Sequence, residues 1–313
     1  MAAPTEPFVT VTLNPALDKT VLIENFTVAR TNRSRLLSSE PGGKGINVAK
    51  MLHSLASSVL ATGFIAGANG KRIIAALEQR GVRTDFVEVP GETRVNLKIV
   101  DPATGHETEI NEPGFTVALS HMQAIEQKLR QLLPRAELLV LSGSLPPGVG
   151  PDFYANLIHL AHGFGVKTIL DTEGQALRLG LAAHPLLVKP NKYEAEMLLG
   201  EPIATPEAGM GAAIKILALG AENAVVSLGS QGAVAANAKG SVYASPPQIV
   251  VHNSVGAGDA MVGILAKAIG EGKDVLEVLP QAVAAVAAFL TARRGEEREE
   301  QEPVREIHPI LGV

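Results

Sequence analysis

The 313-residue chain contains no cysteine, which excludes disulfides, thiolate nucleophiles and cysteine-ligated zinc. Tryptophan is also absent and aromatic residues make up only 4% of the chain, so its core must be built from Ala, Val, Leu and Ile. Such a core suits a buried parallel sheet covered by helices. Positive charge is not in surplus: 27 Lys and Arg stand against 32 Asp and Glu, a formal net charge of -5. The basic residues are scattered, which argues against a nucleic-acid partner and leaves room for a small anionic ligand. The eight histidines form no HExxH pattern, and the close pair His159/His162 reads as a helix surface. No apolar stretch reaches the ~18 residues of a membrane span. The most apolar helical segment, Val275–Leu290, is interrupted by Glu277, Pro280 and Gln281. Met1–Phe8 is too short for a signal peptide, so the expectation is a cytoplasmic protein with no membrane partner.

Short β-branched runs alternate with longer Ala/Leu-rich runs along the whole chain. "FVTVTL" (Phe8–Leu13), "LLVLSG" (Leu138–Gly143), "KTILD" (Lys167–Asp171), "LLVKP" (Leu186–Pro190) and "AVVSLG" (Ala224–Gly229) read as strands. "GINVAKMLHSLA", "HMQAIEQKLRQLL", "DFYANLIHLAHGFG", "PEAGMGAAIKILALG" and "DAMVGILAKAIG" read as helices between them. This alternation predicts an α/β fold, a doubly wound, mostly parallel sheet with helices on both faces, formed by residues 1–313 as a single domain. Two stretches break it, Lys19–Pro41 and about Glu88–Pro113. Both are strand-like and are expected to pair as a small antiparallel sheet beside the core, a lid able to exclude water from a pocket. The charge-dense tail Arg293–Pro303 reads as a solvated end.

Four stretches carry chemistry. In "VGAGDAMVG" (Val255–Gly263), Gly256, Ala257 and Gly258 precede a run of helical period, so their backbone N–H groups lie at a helix N-terminus suited to an anion. Asp259 follows in the first turn, as a proton acceptor or as an acid that merely stabilises the helix end. The string does not fit G-x-G-x-x-G, whose third glycine would fall at Met261, and "GANGKR" (Gly67–Arg72) does not fit the Walker A loop. In "EPGGKGINVAKML" (Glu40–Leu52), Gly42, Gly43 and Gly45 surround Lys44 just before a helix that carries Asn47 in its first turn. That loop can hold a phosphate or sugar hydroxyls, or be a plain glycine turn. "TLNPALD" ends a strand and delivers Asp18, a partner for paired hydroxyls, unless Asn14-Pro15 is only turn chemistry. Arg94, Asn96 and Lys98 alternate along "TRVNLKI" and so share one strand face, either as a phosphate grip or as surface.

Together these stretches resemble the ribokinase/PfkB carbohydrate kinase superfamily from about Thr10 to Arg294, with "GGKGINVA" and "VGAGDAMVG" as its two signature regions. "TLNPALDKT", "NEPG" (Asn111–Gly114), "SGSLPPGV" (Ser142–Val149) and "VKPNKYE" (Val188–Glu194) resemble its phosphosugar kinase branch. The resemblance implies an ATP- and Mg-dependent enzyme that phosphorylates a sugar phosphate. Fructose 1-phosphate is the expected acceptor; tagatose 6-phosphate and fructose 6-phosphate are the alternatives, and a catalytically silent sugar-phosphate regulator is the reading of another class. It further implies Asp259 as base and Gly256, Ala257 and Gly258 as the anion hole. Asp18, Gly42, Gly43, Lys44, Asn47, Arg94, Lys98 and Ser144 would hold the sugar phosphate. Lys189, Asn191, Ser227, Gly229 and Gly232 would serve the nucleotide, with Asn191 and Glu194 organising magnesium through water. A monovalent cation is implied near Ala288–Gly295, where "TARRGEE" departs from the small, polar pattern usual there. Lid strands pairing between subunits imply a homodimer.

Overall fold

A computed structural model describes residues 7–247, 256–292 and 305–306. The chain enters on β1 (Phe8–Thr12) and leaves the core for β2 (Ala16–Leu22) and β3 (Arg35–Gly42). It returns through α1 (Lys44–Ser54) to β4 (Val59–Ile65), α2 (Gly67–Gln79) and two short strands, β5 (Arg83–Thr84) and β6 (Val87–Glu88). A second excursion makes β7 (Arg94–Val100) and β8 (Glu107–Asn111). Strands and helices then alternate: α3 (Leu119–Leu132), β9 (Leu138–Ser142), α4 (Phe153–Gly163), β10 (Lys167–Asp171), α5 (Gly174–Leu181), β11 (Leu187–Val188) and α6 (Lys192–Leu199). The described chain finishes with α7 (Pro206–Ala218), β12 (Asn223–Ser227), β13 (Ala233–Asn237), β14 (Gly240–Ala244), α8 (Ala257–Gly270), α9 (Val275–Ala292) and the two-residue β15 (Arg305–Glu306).

The large sheet runs in the order β15-β14-β13-β12-β11-β10-β9-β1-β4-β5, with β6 also against β4. It is parallel from β12 to β5 and antiparallel where β13, β14 and β15 extend it. Side chains alternate between its faces. Val9, Val11, Leu139 and Leu141 join one core layer, with Ile125 of α3, Leu157 of α4 and Ile216 of α7. Phe8, Leu138, Val140 and Ile169 join the other, with Leu52 of α1, Leu77 of α2 and Leu265 of α8. Both faces of each central strand are thus apolar, as a sheet covered on both sides requires. At β11 the expected strand shortens to Leu187–Val188, because Pro190 and the start of α6 follow at once.

The small sheet has the order β3-β2-β7-β8. The expectation of an antiparallel sheet holds for β2 with β3 and β7 with β8, but the central pair, β2 with β7, is parallel. Its cause lies in the topology: β2 and β7 each open a separate excursion from the same edge of the core, so both run outward side by side. A small apolar cluster of Val21, Ile23 and Ile99 supports one face.

Among the described residues, no helix is long and apolar enough to cross a membrane.

Candidate active site

Parallel strands deliver their C-terminal ends to one edge of the sheet, where ligands of open α/β folds gather. There β1 ends at Thr12, β9 at Ser142, β10 at Asp171 and β12 at Ser227, and the N-termini of α1 and α8 face the same edge. Two cavities open there. One, of about 830 Å³, lies between α1 and the small sheet; the other, of about 1520 Å³, lies between α6, α8 and α9. Gly256 lines both.

Asp259 sits in the first turn of α8, 8% exposed. Asn47 Nδ2 of α1 donates to its Oδ2 at 2.7 Å. Burial, and next the negative charge of Asp171, push the Asp259 carboxyl up to about 6, against the pull of Asn47, Lys44 and Lys189. A carboxylate of that basicity can take a proton from a hydroxyl near neutral pH. Gly256 caps the helix at φ 83°, a left-handed conformation that favours glycine. A Cβ on Gly258 would lie 3.3 Å from Lys189 Nζ, so the first turn of α8 and this lysine are packed together. The unpaired N–H groups of that turn and the Lys189 ammonium form one electropositive surface.

Sequence reasoning missed Asp171. It closes β10 fully buried and accepts from Ser142 Oγ at 3.1 Å, from Lys44 Nζ at 3.4 Å and from Lys189 Nζ at 3.5 Å. Burial alone would raise its pKa, but Lys189, Lys44 and the Ser142 hydrogen bond outweigh it and hold Asp171 below the ordinary value. The only sequence signal was a single acid ending the apolar run "KTILD".

Lys44 also reaches Glu194 Oε1 at 3.3 Å. Burial works against its charge, but Asp171, Glu194 and Asp259 outweigh it and raise the Lys44 pKa. Lys44 therefore lines the larger cavity with Lys189 and is engaged away from Asp18. Asn191 and Glu194 form a reciprocal cap on α6: Asn191 Oδ1 accepts from Glu194 N at 2.9 Å, and Glu194 Oε2 accepts from Asn191 N at 2.8 Å. Ser227, Gly229 and Gly232 line the far wall of the same cavity. A Cβ on Gly232, whose φ is 91°, would meet Ala244 O at 2.1 Å, so the loop admits only glycine there.

Asp18 lies in the third position of β2, opposite Glu40 and Asn96, and not at the end of a core strand as expected. Asn14-Pro15 turns the chain out of the core after Thr12, and strand pairing resumes at Ala16. Asn96 Nδ2 donates to Asp18 Oδ1 at 2.8 Å. Burial raises the Asp18 pKa against the opposing pull of Asn96, Lys50 and Arg94. A Cβ on Gly42 would fall 2.1 Å from Asp18 Oδ2, so this glycine leaves space for the carboxylate. Gly43, at φ 110°, caps α1.

Arg94 donates through Nε and Nη2 to Asn14 O at 3.3 and 3.2 Å, and through Nη1 to Asn96 Oδ1 and Glu112 O at 3.1 and 3.2 Å. It ties the small sheet to the end of β1. Lys98 lines the smaller cavity and pairs with Glu107 at 2.6 Å. Ser144 accepts from Asn14 Nδ2 at 3.3 Å, beside Gly143, whose carbonyl takes hydrogen bonds from Tyr154 and Thr172 at 3.1 and 2.9 Å.

No group of three or more His, Cys, Asp or Glu that could hold a metal occurs among the described residues. The oxygen donors beside the larger cavity, Asp171 and Glu194, fit a hard divalent cation held mainly by water and ligand oxygens. The monovalent-cation expectation at Ala288–Gly295 falls partly outside the described residues, which omit 293–295 and the loop before Gly256.

Two cavities that share Gly256, with the buried Asp259 carboxylate lining the larger and hydrogen-bonded to Asn47 of the smaller, and with lysines and a helix N-terminus around it, suit the passing of an anionic group between two ligands. The chain belongs to the pfkB family of carbohydrate kinases, whose model matches residues 12–301. It is 36% identical over 273 residues to the 1-phosphofructokinase of Xanthomonas campestris pv. campestris, covering 86% of each chain. It is 34% identical to the tagatose-6-phosphate kinase of Staphylococcus epidermidis, covering 87% of this chain and 88% of that one. The structure of Escherichia coli phosphofructokinase-2 in complex with fructose-6-phosphate superposes with a TM-score of 0.85 at 32% identity, covering 91% and 94% of the two chains. The same enzyme in complex with potassium matches with a TM-score of 0.85 at 33% identity, covering 90% and 92%. The chain is accordingly a phosphotransferase with an alcohol group as acceptor, and the family implies ATP and a divalent metal.

Proposed function

We propose that the chain phosphorylates fructose 1-phosphate on its 6-hydroxyl at the expense of ATP. The observation that supports this reading best is the place of Asp259, which lines the larger cavity with Ser227, Gly229 and Gly232 and accepts a hydrogen bond from Asn47, a residue of the smaller cavity under the small sheet. Fructose 1-phosphate is preferred because the stretches around Asp18, Lys44 and Arg94 resemble 1-phosphofructokinases. The Xanthomonas relative carries that name.

In this reading Asp18 and Asn47 hold sugar hydroxyls, helped by the space at Gly42 and Gly43 and by Ser144. Asp259 accepts the proton of the attacking hydroxyl as its oxygen bonds to the γ-phosphorus in line with the departing ADP oxygen. The N–H groups of Gly256, Ala257 and Gly258, with Lys189 behind them, face the charge on the transferring group. Lys44 holds Asp171 and Glu194 in place and adds positive charge beside it. Ser227, Gly229 and Gly232 shape the nucleotide wall. Magnesium, held near Glu194 and Asp171 through water, would neutralise phosphate charge. The small sheet then acts as a lid with Arg94 at its root. Exposed Leu36, Leu37 and Ile110 on its strands support a dimer made by pairing of these sheets.

A coupled ADP-release screen over fructose 1-phosphate, fructose 6-phosphate, tagatose 6-phosphate and unphosphorylated fructose tests the reading. The highest kcat/KM is expected with fructose 1-phosphate. A higher value with another phosphosugar reassigns the acceptor, and no ADP release with any of them points to a silent binding protein.

A further inference from the structure

We infer that Asn14 is a positioning residue for the sugar site, an assignment that rests on the phosphosugar kinase reading above. The chain leaves the core at Asn14-Pro15 after β1 and returns to it at Pro113-Gly114 after β8. One amide spans the two crossings: Asn14 Nδ2 donates to Pro113 O at 3.1 Å and to Ser144 Oγ, in the loop after β9, at 3.3 Å. Gly114, at φ 98°, leaves room for it, since a Cβ there would fall 2.3 Å from Asn14 Oδ1. Asn14 is 5% exposed, and among the described residues its Oδ1 has no hydrogen-bond partner. A buried amide with an unpaired oxygen contributes less to stability than its two donated bonds suggest, so fold stability alone is a poor reason for an asparagine here.

The contacts of Asn14 lead to the sugar site on two sides. On one, Asn14 O accepts from Arg94 Nε and Nη2 at 3.3 and 3.2 Å, Arg94 Nη1 donates to Asn96 Oδ1 at 3.1 Å, and Asn96 Nδ2 donates to Asp18 Oδ1 at 2.8 Å. Asp18 and Asn96 both line the smaller cavity. On the other side Ser144 follows Gly143, where a Cβ would lie 3.8 Å from Lys44 Cβ, so the serine stands beside the glycine loop of α1. Asp18 belongs to the small sheet and Ser144 to a loop of the large one, so their spacing depends on the tie that Asn14 makes between the two layers. The stretches "TLNPALD", "TRVNLKI", "NEPG" and "SGSLPPGV", far apart in the chain, meet at this one residue.

The test compares wild type, Asn14→Ala and Asn14→Ser, the latter keeping a turn-forming residue before Pro15. Coupled ADP release is followed with the phosphosugar that gives the highest kcat/KM in the screen above. Loss of about one hydrogen bond to the sugar should raise KM for that phosphosugar about tenfold in both variants, while KM for ATP stays within about twofold. A merely structural residue would move neither KM and would lower kcat, through the fraction of active protein. Gly114→Ala pushes on the same amide from the opposite side and should reproduce the split between the two KM values. An unchanged sugar KM in the Asn14 variants, a rise shared equally with ATP, or a failure of both variants to fold overturns the assignment. Wild-type protein that releases no ADP with any phosphosugar defeats the functional reading itself, an outcome distinct from an active wild type with unaffected variants.

Discussion

Lys44 and Asp171, 127 positions apart in the chain, meet at 3.4 Å at the edge of the large sheet. The contact joins the glycine loop before α1 to the end of β10, and through Asp171 to Lys189. Two cations and one buried acid so placed keep positive charge beside Asp259 without leaving an unpaired charge in the core. Lys44→Met should therefore destabilise the protein by about 2 kcal/mol, less than a fully buried pair because the Lys44 side chain is 35% exposed. Chemical denaturation checks this value.

Asp259 must be ionised to accept a proton, and its pKa is raised to about 6. The pH profile of kcat/KM should be flat above that value and fall about tenfold per unit below it.

Asp171→Asn removes the negative charge that ranks just after burial in raising Asp259. The acid limb of the same profile should move to lower pH, with a lower plateau because Lys44 and Lys189 lose a shared partner. A limb that moves to higher pH would contradict this arrangement.

The raised pKa also costs stability. A carboxyl group whose folded pKa lies above its unfolded value opposes folding when ionised, so the penalty is full above about pH 6 and absent below the unfolded value of 3.8. The shift corresponds to about 2–3 kcal/mol at neutral pH. Asp259→Asn should melt a few degrees above wild type at pH 7.5, and the difference should vanish at about pH 4. Calorimetry at the two pH values reads both.

Gly42→Ala would place a Cβ 2.1 Å from Asp18 Oδ2. The carboxylate must move, and KM for the sugar should rise at least about tenfold while KM for ATP holds.

The parts of the site that were legible in the sequence are those where glycines abut a helical period. "GGKGINVA" and "VGAGDAMVG" each mark a helix N-terminus, and α1 and α8 begin there. Strand β4 escaped notice because Gly63 interrupts "VLATGFI"; its φ of 135° brings the backbone against β1, where a Cβ would meet Thr12 O at 1.9 Å. Helix α2 escaped because it opens on "GANGKR", which is weighed only as a phosphate loop and whose glycines disfavour a helix. Asp171 could not be told from any acid at a strand end, since its partners Lys44 and Lys189 come from other elements. The parallel pairing of β2 with β7 was equally invisible, because it follows from where two excursions leave the core.

The central claim is that Asp259 is the base, and the turnover of Asp259→Asn measures it most directly. The substitution removes proton acceptance with little change in volume, so kcat with fructose 1-phosphate should fall by about 10²–10⁴. Titration calorimetry should find ATP and sugar affinities within a few-fold of wild type. Turnover close to wild type in a folded variant would contradict the account.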